Sequence, residues 1–326
     1  MRAMVIDKFG GPDVFRMGEI PTPVPGPDEI VIRVAYAGVN PADWKCREGW
    51  LSQFFDYKFP FVVGFDAAGI VSAVGEGVTE YKVGDKVTTH SNQGIGENGS
   101  YAEYVKSVTD RCAHVADSVS YEIAASIPTA AVTSWEACFD TGGIKAGHHV
   151  LINGGAGGMG SFAIQFAKHA GAKVAVTCSA KNIDYVKSLG ADLAIDYRTQ
   201  DVEKEVLAWA PGGVDLVIDT VGQGTLLNAL NMTKRGGKIT PIGTLIADEP
   251  MIGKEEAAAR GVEFIPTMSN RTRAGHQLRL IVDLYNKGEL KPPQIEVLEL
   301  AQAGEAHTRV KDGHVRGKLL LHVADL

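Results

Sequence analysis

The sequence predicts an α/β protein made of a doubly wound parallel sheet and a second, discontinuous β-rich domain. Three patterns predict this fold. Short β-rich runs separated by Gly, Pro and Asp clusters fill the chain to about residue 120. From about residue 149, apolar strands alternate with helical segments. After a long amphipathic helix, the strand-like run GKLLLHV closes the pattern, and we expect it to rejoin the first domain.

The first domain is expected to be irregular and β-rich. Its strand-like runs are EIVIRVAYAGV, PFVVGF, AAGIVSAVG and GSYAEYVKS, and turn-rich stretches such as PTPVPGPDE separate them. One corner, VVGFDAAG at residues 62–69, sets the aromatic Phe65 beside the carboxylate of Asp66. Taken alone, this corner indicates no more than a strand end with a solvated Asp.

The second half alternates strands with helices in the way that builds a parallel sheet. The predicted strands are HVLIN, KVAVT, LAIDY, VDLVIDTV, GGKITPIG and VEFIPTM, and the long helix HQLRLIVDLYNKGEL follows them. Apolar strands spaced by helices are typical of a doubly wound sheet with helices on both faces.

The composition bounds the protein's class. The chain has 326 residues, 45% hydrophobic residues and a formal net charge of -7, as expected for two soluble globular domains. It shows no basic stripe, no signal peptide and no run of ~20 apolar residues, so we expect neither a nucleic-acid nor a membrane partner. Four scattered cysteines without CxxC spacing favour reduced thiols in the cytoplasm; they are Cys46, Cys112, Cys138 and Cys178.

A glycine-rich motif opens the second half. Gly155, Gly157 and Gly160 satisfy GxGxxG directly after a predicted strand, and a helix with an apolar stripe follows them. In a dinucleotide-binding Rossmann unit the first glycine permits the tight turn, the second lets the backbone approach the pyrophosphate, and the third lets the helix pack on the strand. We therefore assign this loop, rather than a mere Gly-rich turn, to cofactor binding; the residues assigned are Gly155, Gly157, Gly158, Met159 and Gly160. The stripe comprises Met159, Phe162, Ala163, Phe166 and Ala167.

The strand after the motif predicts which dinucleotide binds. An NAD site usually offers Asp or Glu about 20 residues beyond the glycines, but residues 177–181 read TCSAK and contain no acid. Hydroxyl groups and an ammonium favour the 2′-phosphate of NADPH. Ser179 and Lys181 are the candidate ligands, with Tyr197 or Arg198 as a further wall; the alternative for Lys181 is a solvated loop lysine.

Taken together, these motifs resemble a known family along the whole chain. The stretches GPDEIVIRVAYAGVNPADW, FVVGFDAAGIVSAVGEGVTEYKVGDKV, GSYAEYV, IPTAAVTSWEA and VLINGGAGGMGSFAIQFAKHAGAKV are similar to those of medium-chain dehydrogenases/reductases. The nearest branch is the zinc-independent NADPH:quinone oxidoreductases, which include the zeta-crystallins. This resemblance implies a GroES-like catalytic domain at residues 1–123, completed by 268–326, a Rossmann domain at 124–267, and an active site in the cleft between them.

The sequence departs from zinc-dependent relatives at the metal ligands. The resemblance puts Asn40 where those relatives have a cysteine ligand, and Gly64-Phe65-Asp66 where they have Gly-His-Glu. The lobe of four closely spaced cysteines is also missing from the sequence, and the histidines show no ligand spacing. Because catalytic zinc needs about three protein ligands, we expect no metal, and we expect Asp66 to form structural hydrogen bonds.

These departures change the expected chemistry. Without a metal to stabilise an alkoxide, the favoured acceptor is one that delocalises negative charge itself. We therefore expect hydride transfer from NADPH to a quinone or an α,β-unsaturated carbonyl, with protein donors placed at the developing enolate.

The resemblance also suggests catalytic residues. Asn40 and Thr133 would lie near the nicotinamide and the substrate, and Lys45 stands where related reductases carry a tyrosine. Trp44 and Trp50 form either an aromatic wall or part of the core. Gly243 and Thr244, at the end of the fifth strand, and Ser269, after the sixth, are expected beside the cofactor. The run GGKITPIGTLI is the expected edge strand of a homodimer.

The sequence is also compatible with two other functions. Some relatives are abundant proteins that bind NADPH without catalysis, as structural, RNA-binding or sensor proteins. An enoyl-thioester reductase would differ only in substrate, and would need a basic patch for a phosphopantetheine or coenzyme A tail; the sequence shows no clear patch.

Overall fold

A computed structural model describes residues 1–54, 56–91, 93, 97–243 and 249–326. The chain divides into two compact units. Unit 1 comprises Met1–Val132 and Arg271–Leu326, and unit 2 comprises Thr133–Asn270. The discontinuous β-rich domain expected from the sequence is therefore present.

Unit 1 is built on two sheets. Its strands are β1 (Arg2–Ile6), β2 (Phe15–Glu19), β3 (Glu29–Val39), β4 (Phe61–Val62), β5 (Asp66–Val74), β6 (Lys86–His90), β7 (Tyr104–Val108), β8 (Cys112–His114), β15 (Ile295–Glu299) and β16 (Lys318–His322). The small sheet has the order β2-β1-β4, and the larger has the order β15-β16-β3-β5-β6-β8, with β7 also paired to β3. The central β3 is rich in Val and Ile, which suit a buried, pleated strand.

The helices of unit 1 are mostly short. They are α1 (Pro41–Arg47), α2 (Tyr121–Ser126), α9 (Arg271–Asn286) and α10 (Ala303–Lys311), and α3 (Pro128–Trp135) runs across the boundary into unit 2. The amphipathic run predicted after residue 270 forms α9. Sequence patterns did not indicate α1, α2, α3 or α10. Helix α1 begins directly at the end of β3, with Asn40 as its N-cap and Pro41 in its first turn, where proline is tolerated.

The last strand completes the larger sheet of unit 1. Strand β16 pairs antiparallel with β3, placing Leu319 opposite Val39, and parallel with β15. The predicted return of GKLLLHV to the first domain is confirmed. This pairing brings Lys318, at the start of β16, to the carboxyl end of β3.

Unit 2 is the predicted doubly wound sheet. Its strands are β9 (His149–Asn153), β10 (Lys173–Cys178), β11 (Leu193–Asp196), β12 (Val214–Asp219), β13 (Thr233–Pro241) and β14 (Glu263–Phe264). Its helices are α4 (Gly158–His169), α5 (Ile183–Ser188), α6 (Val202–Trp209), α7 (Ala229–Met232) and α8 (Lys254–Ala259). All pairings are parallel, in the order β11-β10-β9-β12-β13-β14. The strand order reverses beside β9, which is where ligands bind in such sheets.

Two details of unit 2 differ from the expectations. The expected dimer edge, GGKITPIGTLI, contains most of β13, but β14 pairs with β13 and lies at the end of the described order, so β13 is internal. In α4, Phe162, Ala163, Phe166 and Ala167 are buried as predicted, whereas Met159 is only half-buried because it sits in the exposed first turn.

The four cysteines are free and buried. Among the described residues, the helices lack the length and apolar character needed to cross a membrane.

Candidate functional site

The glycine-rich loop joins β9 to α4 through a close backbone approach. Gly154, just before the motif, adopts a φ of +81°, so it is a left-handed residue of this turn. A Cβ on Gly155 would lie 2.8 Å from the Cβ of Val176, and one on Gly160 would overlap the carbonyl oxygen of Gly154. The protein's own packing therefore requires glycine at 155 and 160.

Gly157 has no such internal requirement. It is the N-cap of α4 in extended backbone, and among the described residues a Cβ there would meet only the Gly154 oxygen, at an ordinary 3.6 Å. The backbone N–H groups of the first turn of α4, which includes Gly158 and Met159, have no partners within the helix. A glycine whose missing side chain leaves room outside the protein, at the N-terminus of a 12-residue helix, fits a dinucleotide diphosphate.

A side-chain network that sequence reasoning missed holds this loop in place. Thr177 donates to Asn153 Oδ1 at 2.6 Å and accepts from the backbone N–H of Gly154 at 3.0 Å. Asn153 Nδ2 in turn donates to Asp219 Oδ1 at 2.8 Å. The ends of β9, β10 and β12 are thereby tied together, which pre-organises the loop. Polar residues at the carboxyl ends of three apolar strands were the available signal.

The predicted 2′-phosphate ligands lie together at the ends of β10 and β11. Cys178 and Asp196 are register partners, and the N–H of Tyr197 donates to the carbonyl of Cys178 at 3.2 Å. Ser179 and Tyr197 therefore follow paired residues on neighbouring strands. Lys181 is exposed on the turn after Ser179, and Arg198 lies over the Tyr197 ring at 5.8 Å.

The nearby carboxylate of Asp196 is hydrogen-bonded within its own turn. It accepts from the N–H of Arg198 at 3.2 Å and from the hydroxyl of Thr199 at 2.9 Å. Its side chain is buried. This carboxylate is therefore occupied by hydrogen bonds within its own turn. It does not replace the ribose-binding acid missing from residues 177–181.

Of the residues predicted beside the nicotinamide, the structure describes Gly243, Ser269 and Thr133. Gly243 N–H donates to the carbonyl of Thr267 at 3.0 Å, which joins the segments leaving β13 and β14. Ser269 is half-buried two residues beyond Thr267. Thr244 lies outside the described residues. Thr133 is buried in α3, and its neighbour Ser134 donates to the carbonyl of Met159 at 2.8 Å, next to the glycine loop.

Unit 1 contains a fully buried cluster of charges around Asn40. Lys318 Nζ donates to Asn40 Oδ1 at 2.6 Å and to the carbonyl of Val39 at 3.2 Å. Asn40 Nδ2 donates to Asp66 Oδ2 at 2.8 Å, and the Lys318 ammonium lies 3.8 Å from the same oxygen. Lys318 is 3% exposed and Asp66 is fully buried. Sequence reasoning missed Lys318, which reads as an ordinary residue at a strand end.

The corner at residues 64–66 supports this cluster. Gly64 has a φ of +119°, and a Cβ there would lie 2.5 Å from the Tyr101 ring. The Phe65 ring is stacked on His90, with centroids 5.2 Å apart. Asp66 Oδ1 accepts from the N–H and the hydroxyl of Thr129, at 3.0 and 2.5 Å, at the start of α3. Asp66 therefore has the structural hydrogen-bonding role expected from the sequence.

A second buried carboxylate, Asp43, lies on α1. Its oxygens accept from the N–H groups of Asn40 at 2.7 Å and Phe65 at 3.1 Å, and from the Tyr101 hydroxyl at 3.3 Å. Burial, and then the charge of Asp66, raise the pKa of Asp43 to about 7. For Lys318, burial lowers the pKa while Asp66 and Asp43 act in the opposite direction.

Beyond Tyr101, the network continues through His307. Arg47 Nη1 lies 3.3 Å from His307 Nδ1, and His307 Nε2 lies 3.0 Å from the Tyr101 hydroxyl. Because arginine only donates, Nδ1 accepts, the Nε2–H donates to Tyr101, and the tyrosine donates to Asp43. Burial, reinforced by the Arg47 charge, lowers the pKa of His307 well below its usual value, so the ring is neutral.

The remaining candidates of α1 are aromatic or cationic. Lys45 is buried, with its ammonium 5.3 Å from the centroid of the Trp44 ring. Trp44 is buried and packs edge-on against the more exposed Trp50, with centroids 5.0 Å apart. Trp44 therefore belongs to the packed interior, while part of Trp50 faces outward.

The donor set around Asn40 does not suit a metal. The carboxamide of Asn40 is already bonded to an ammonium and a carboxylate, and a phenyl ring stands where the resemblance places a histidine ligand. A metal ion there would be repelled by the Lys318 charge at short range. Among the described residues, no group of three His, Cys, Asp or Glu side chains could hold a metal ion.

Comparisons with known proteins agree with this architecture. Residues 26–117 match a family model described as an alcohol dehydrogenase GroES-like domain, and residues 189–321 match one described as a zinc-binding dehydrogenase. The chain is 32% identical to the chloroplastic quinone-oxidoreductase QR1 of Triphysaria versicolor, over 98% of each. It is 31% identical to the chloroplastic NADPH-dependent alkenal/one oxidoreductase of Arabidopsis thaliana, over 99% of this chain and 79% of that protein.

A solved structure extends the likeness to the whole fold. An NAD-dependent alcohol dehydrogenase, 30% identical, superposes with a TM-score of 0.90 over 99% of this chain and 100% of its own. The chain therefore belongs to the medium-chain dehydrogenase/reductase superfamily of nicotinamide-dependent oxidoreductases, with its quinone-oxidoreductase-like members.

Proposed function

We propose that this protein uses NADPH to reduce a quinone or an α,β-unsaturated carbonyl without a metal ion. The observation that carries the proposal is the buried Lys318–Asn40–Asp66 cluster, which holds a fixed ammonium against Asn40, the residue that stands at the position of a cysteine ligand in the zinc-dependent relatives. An enzyme built this way lacks the Lewis acid that unactivated alcohols and ketones need. It suits acceptors that delocalise the incoming charge.

The choice of NADPH rests on the ends of β10 and β11. Ser179, Lys181, Tyr197 and Arg198 offer hydroxyl groups and positive charge, and Asp196 is held in its own turn. A 2′-phosphate would gain charge-assisted hydrogen bonds there. Gly155, Gly157, Gly158, Met159 and Gly160 would hold the diphosphate, and Gly243, Thr244 and Ser269 would lie along the nicotinamide half.

The bound dinucleotide supplies the hydride. The protein's own task is to place the acceptor, exclude water and stabilise negative charge on the acceptor oxygen. We propose that Asn40 donates to this oxygen, because its Oδ1 accepts from Lys318 and one amide hydrogen is donated to Asp66, which leaves the second amide hydrogen for a ligand. Thr133 is the second proposed donor. Lys45 is proposed as a third catalytic residue because of its position in the sequence. Its ammonium, beside Trp44, would add positive charge.

The names of two relatives support this substrate class. One is named for a quinone and the other for alkenal/one compounds. Both classes of acceptor accept a hydride by conjugate or quinonoid addition and need a proton afterwards, which water can supply. The alternative function is that of an alcohol dehydrogenase, because a protein of that name has a similar fold.

A spectrophotometric panel at 340 nm tests the proposal. The purified protein is mixed with NADPH or NADH and with a benzoquinone, a 2-alkenal, an enoyl thioester or a saturated ketone, with and without a chelator. We expect oxidation of NADPH with the quinone or the alkenal, unchanged by the chelator. Reduction of the ketone that the chelator abolishes would support a zinc alcohol dehydrogenase instead. No oxidation with any acceptor, together with tight NADPH binding, would support a non-catalytic binding protein.

We also propose that the protein works in the cytoplasm as a homodimer. The scattered, reduced cysteines favour this compartment. Light scattering after size exclusion would measure the oligomeric state, and a monomeric mass at micromolar concentration would contradict the dimer.

A further inference from the structure

We propose that Lys318 is a positioning residue, which orients and polarises the carboxamide of Asn40 so that its N–H becomes a stronger donor. The proposal rests on the proposed function, in which Asn40 donates to the acceptor oxygen. It adds a role for a residue on the last strand of unit 1, 278 residues away from Asn40 along the chain.

The surroundings of Lys318 require a charged and immobile side chain. Its nitrogen faces the carbonyl of Val39, the Oδ1 of Asn40 and the Oδ2 of Asp66, at 3.2, 2.6 and 3.8 Å. The first two accept hydrogen bonds from the ammonium, and the Asp66 carboxylate forms an ion pair with it. Burying a lysine is costly unless it is paired and hydrogen-bonded, and here both conditions are met. The ammonium therefore occupies one fixed place at the end of β3.

This placement decides which way the Asn40 carboxamide faces. The ammonium is bonded to the amide oxygen, and the Asp66 carboxylate is bonded to the amide nitrogen. Rotating the amide by 180° would put its oxygen against the carboxylate and its NH₂ against the ammonium, and both contacts would be repulsive. The oxygen therefore faces Lys318 and the nitrogen faces Asp66, which leaves the second N–H hydrogen of the amide for a ligand.

Lys318 also changes the strength of that donor. A positive charge bonded to the amide oxygen draws electron density from the nitrogen, and hydrogen bonds linked in this way strengthen one another in a low-dielectric interior. The effect is greatest when negative charge develops on the bound partner, which is the condition for faster chemistry rather than tighter ground-state binding. Replacing the ammonium with a neutral side chain should therefore lower kcat more than it raises KM.

The same cluster is hydrogen-bonded to the start of α3. Asp66, which shares Asn40 with Lys318, also accepts from the N–H and the hydroxyl of Thr129. Thr129 lies in the first turn of α3, and Thr133 lies in its next turn. Lys318 is thus connected by direct hydrogen bonds to Asn40, and through Asp66 to the helix that carries Thr133.

A double-mutant cycle tests whether Lys318 acts through Asn40. The variants are Lys318→Met, Asn40→Ala and the pair together, assayed with NADPH and the acceptor that the wild type reduces best. Losing a whole donor typically costs 10²–10³ in kcat, so we expect Lys318→Met alone to lower kcat roughly tenfold, with little change in the KM for NADPH. In the Asn40→Ala background, Lys318→Met should have almost no further effect on kcat. Equal losses in both backgrounds would overturn the proposal.

Lys106 offers a matched control. It is a partly buried lysine of β7 whose ammonium bridges Glu29 at 3.1 Å and Glu97 at 2.8 Å. Lys106→Met removes a paired lysine from the same unit without touching Asn40, and should leave kcat unchanged. Should Lys318→Met fail to fold, Lys318→Met with Asp66→Asn removes one charge of each sign and replaces it in the cycle.

A readout without turnover separates this proposal from the proposed function. Protein labelled with ¹⁵N-asparagine reports the side-chain NH₂ resonances of Asn40, assigned by its substitution. Lys318→Met should shift these resonances, while those of Asn153, whose Nδ2 is bonded to Asp219 and Thr225 in unit 2, should stay in place. Unmoved Asn40 resonances would overturn the proposal. A wild type that reduces no acceptor would refute the proposed function, and the spectra would still decide the role of Lys318.

Discussion

Alanine at two glycines of the same loop should affect different properties: NADPH binding at Gly157 and the free energy of unfolding at Gly160. Gly157→Ala adds a Cβ that meets only the Gly154 oxygen at 3.6 Å, whereas Gly160→Ala adds one that overlaps that oxygen and lies 2.7 Å from the Gly155 Cα. The first substitution changes what the loop offers to a ligand. The second forces the loop and α4 apart.

The expected magnitudes follow from these contacts. Overpacking against rigid backbone costs typically 1–3 kcal/mol, so Gly160→Ala should lower the free energy of unfolding by about that amount or more. For Gly157→Ala, losing a glycine N-cap costs up to about 1 kcal/mol. The reduced freedom of the unfolded chain returns about 0.4–1 kcal/mol. The net change should be below about 1 kcal/mol, while the new methyl group blocks the diphosphate and weakens NADPH binding at least about tenfold, or 1.4 kcal/mol.

Urea unfolding without ligand and a fluorescence titration with NADPH separate the two effects. Gly157→Ala should unfold near the wild-type midpoint but gain little stability from added NADPH, since a ligand stabilises only the state that binds it. Wild-type NADPH affinity in Gly157→Ala would refute the assignment of this loop to the diphosphate. A Gly160→Ala variant as stable as the wild type would refute the close approach of α4 to the loop.

Three further predictions concern charged groups. Lys181→Ala should weaken NADPH binding roughly tenfold and leave NADH affinity unchanged; equal losses in the two titrations would show that Lys181 does not contact the 2′-phosphate. Because the pKa of Asp43 is raised to about 7, the folded state holds an extra proton between about pH 4 and 7, and Asp43 reduces stability as pH rises through that window. The stability deficit of Asp43→Asn, measured by urea unfolding, should therefore shrink from pH 5 to pH 8, and a growing deficit would contradict this sign. The pKa of His307 is lowered, so the unfolded state binds a proton below about pH 6.5 that the folded state does not, and the wild type should lose stability on acidification; a His307→Gln variant that keeps the same loss would show that another group causes it.

Local patterns predicted most of unit 2 because parallel, fully buried strands leave a strong signal. The apolar runs at β9 and β12 were found from the sequence alone, and so was the helix that follows the glycines. The turn chemistry was less accessible: Gly154, outside the motif, has the positive φ, while Gly155 is packed against Val176. Spacing rules identify the loop, and tertiary packing decides what each glycine does.

The cluster in unit 1 could not be predicted in full. Asn40 and Asp66 stood out because they depart from a known pattern, but Lys318 carries no local sign of burial. Its partners come from β3 and β5, and only the pairing of β16 with β3 brings them within hydrogen-bonding distance. Periodicity identifies a strand but does not reveal which distant charge a strand-end lysine will meet.

The position of β16 along the chain has a consequence for biosynthesis. The whole of unit 2 lies between β3 and β16, so a ribosome must finish that unit before it makes the lysine that neutralises the buried acids of unit 1. Until then, Asp43 and Asp66 lack the Lys318 ammonium, and residues 36–39 of β3 lack their partner strand. Nascent unit 1 should therefore stay open while unit 2 folds as a separate body. Pulse proteolysis of stalled nascent chains would detect this order, with unit 2 protected before the N-terminal strands.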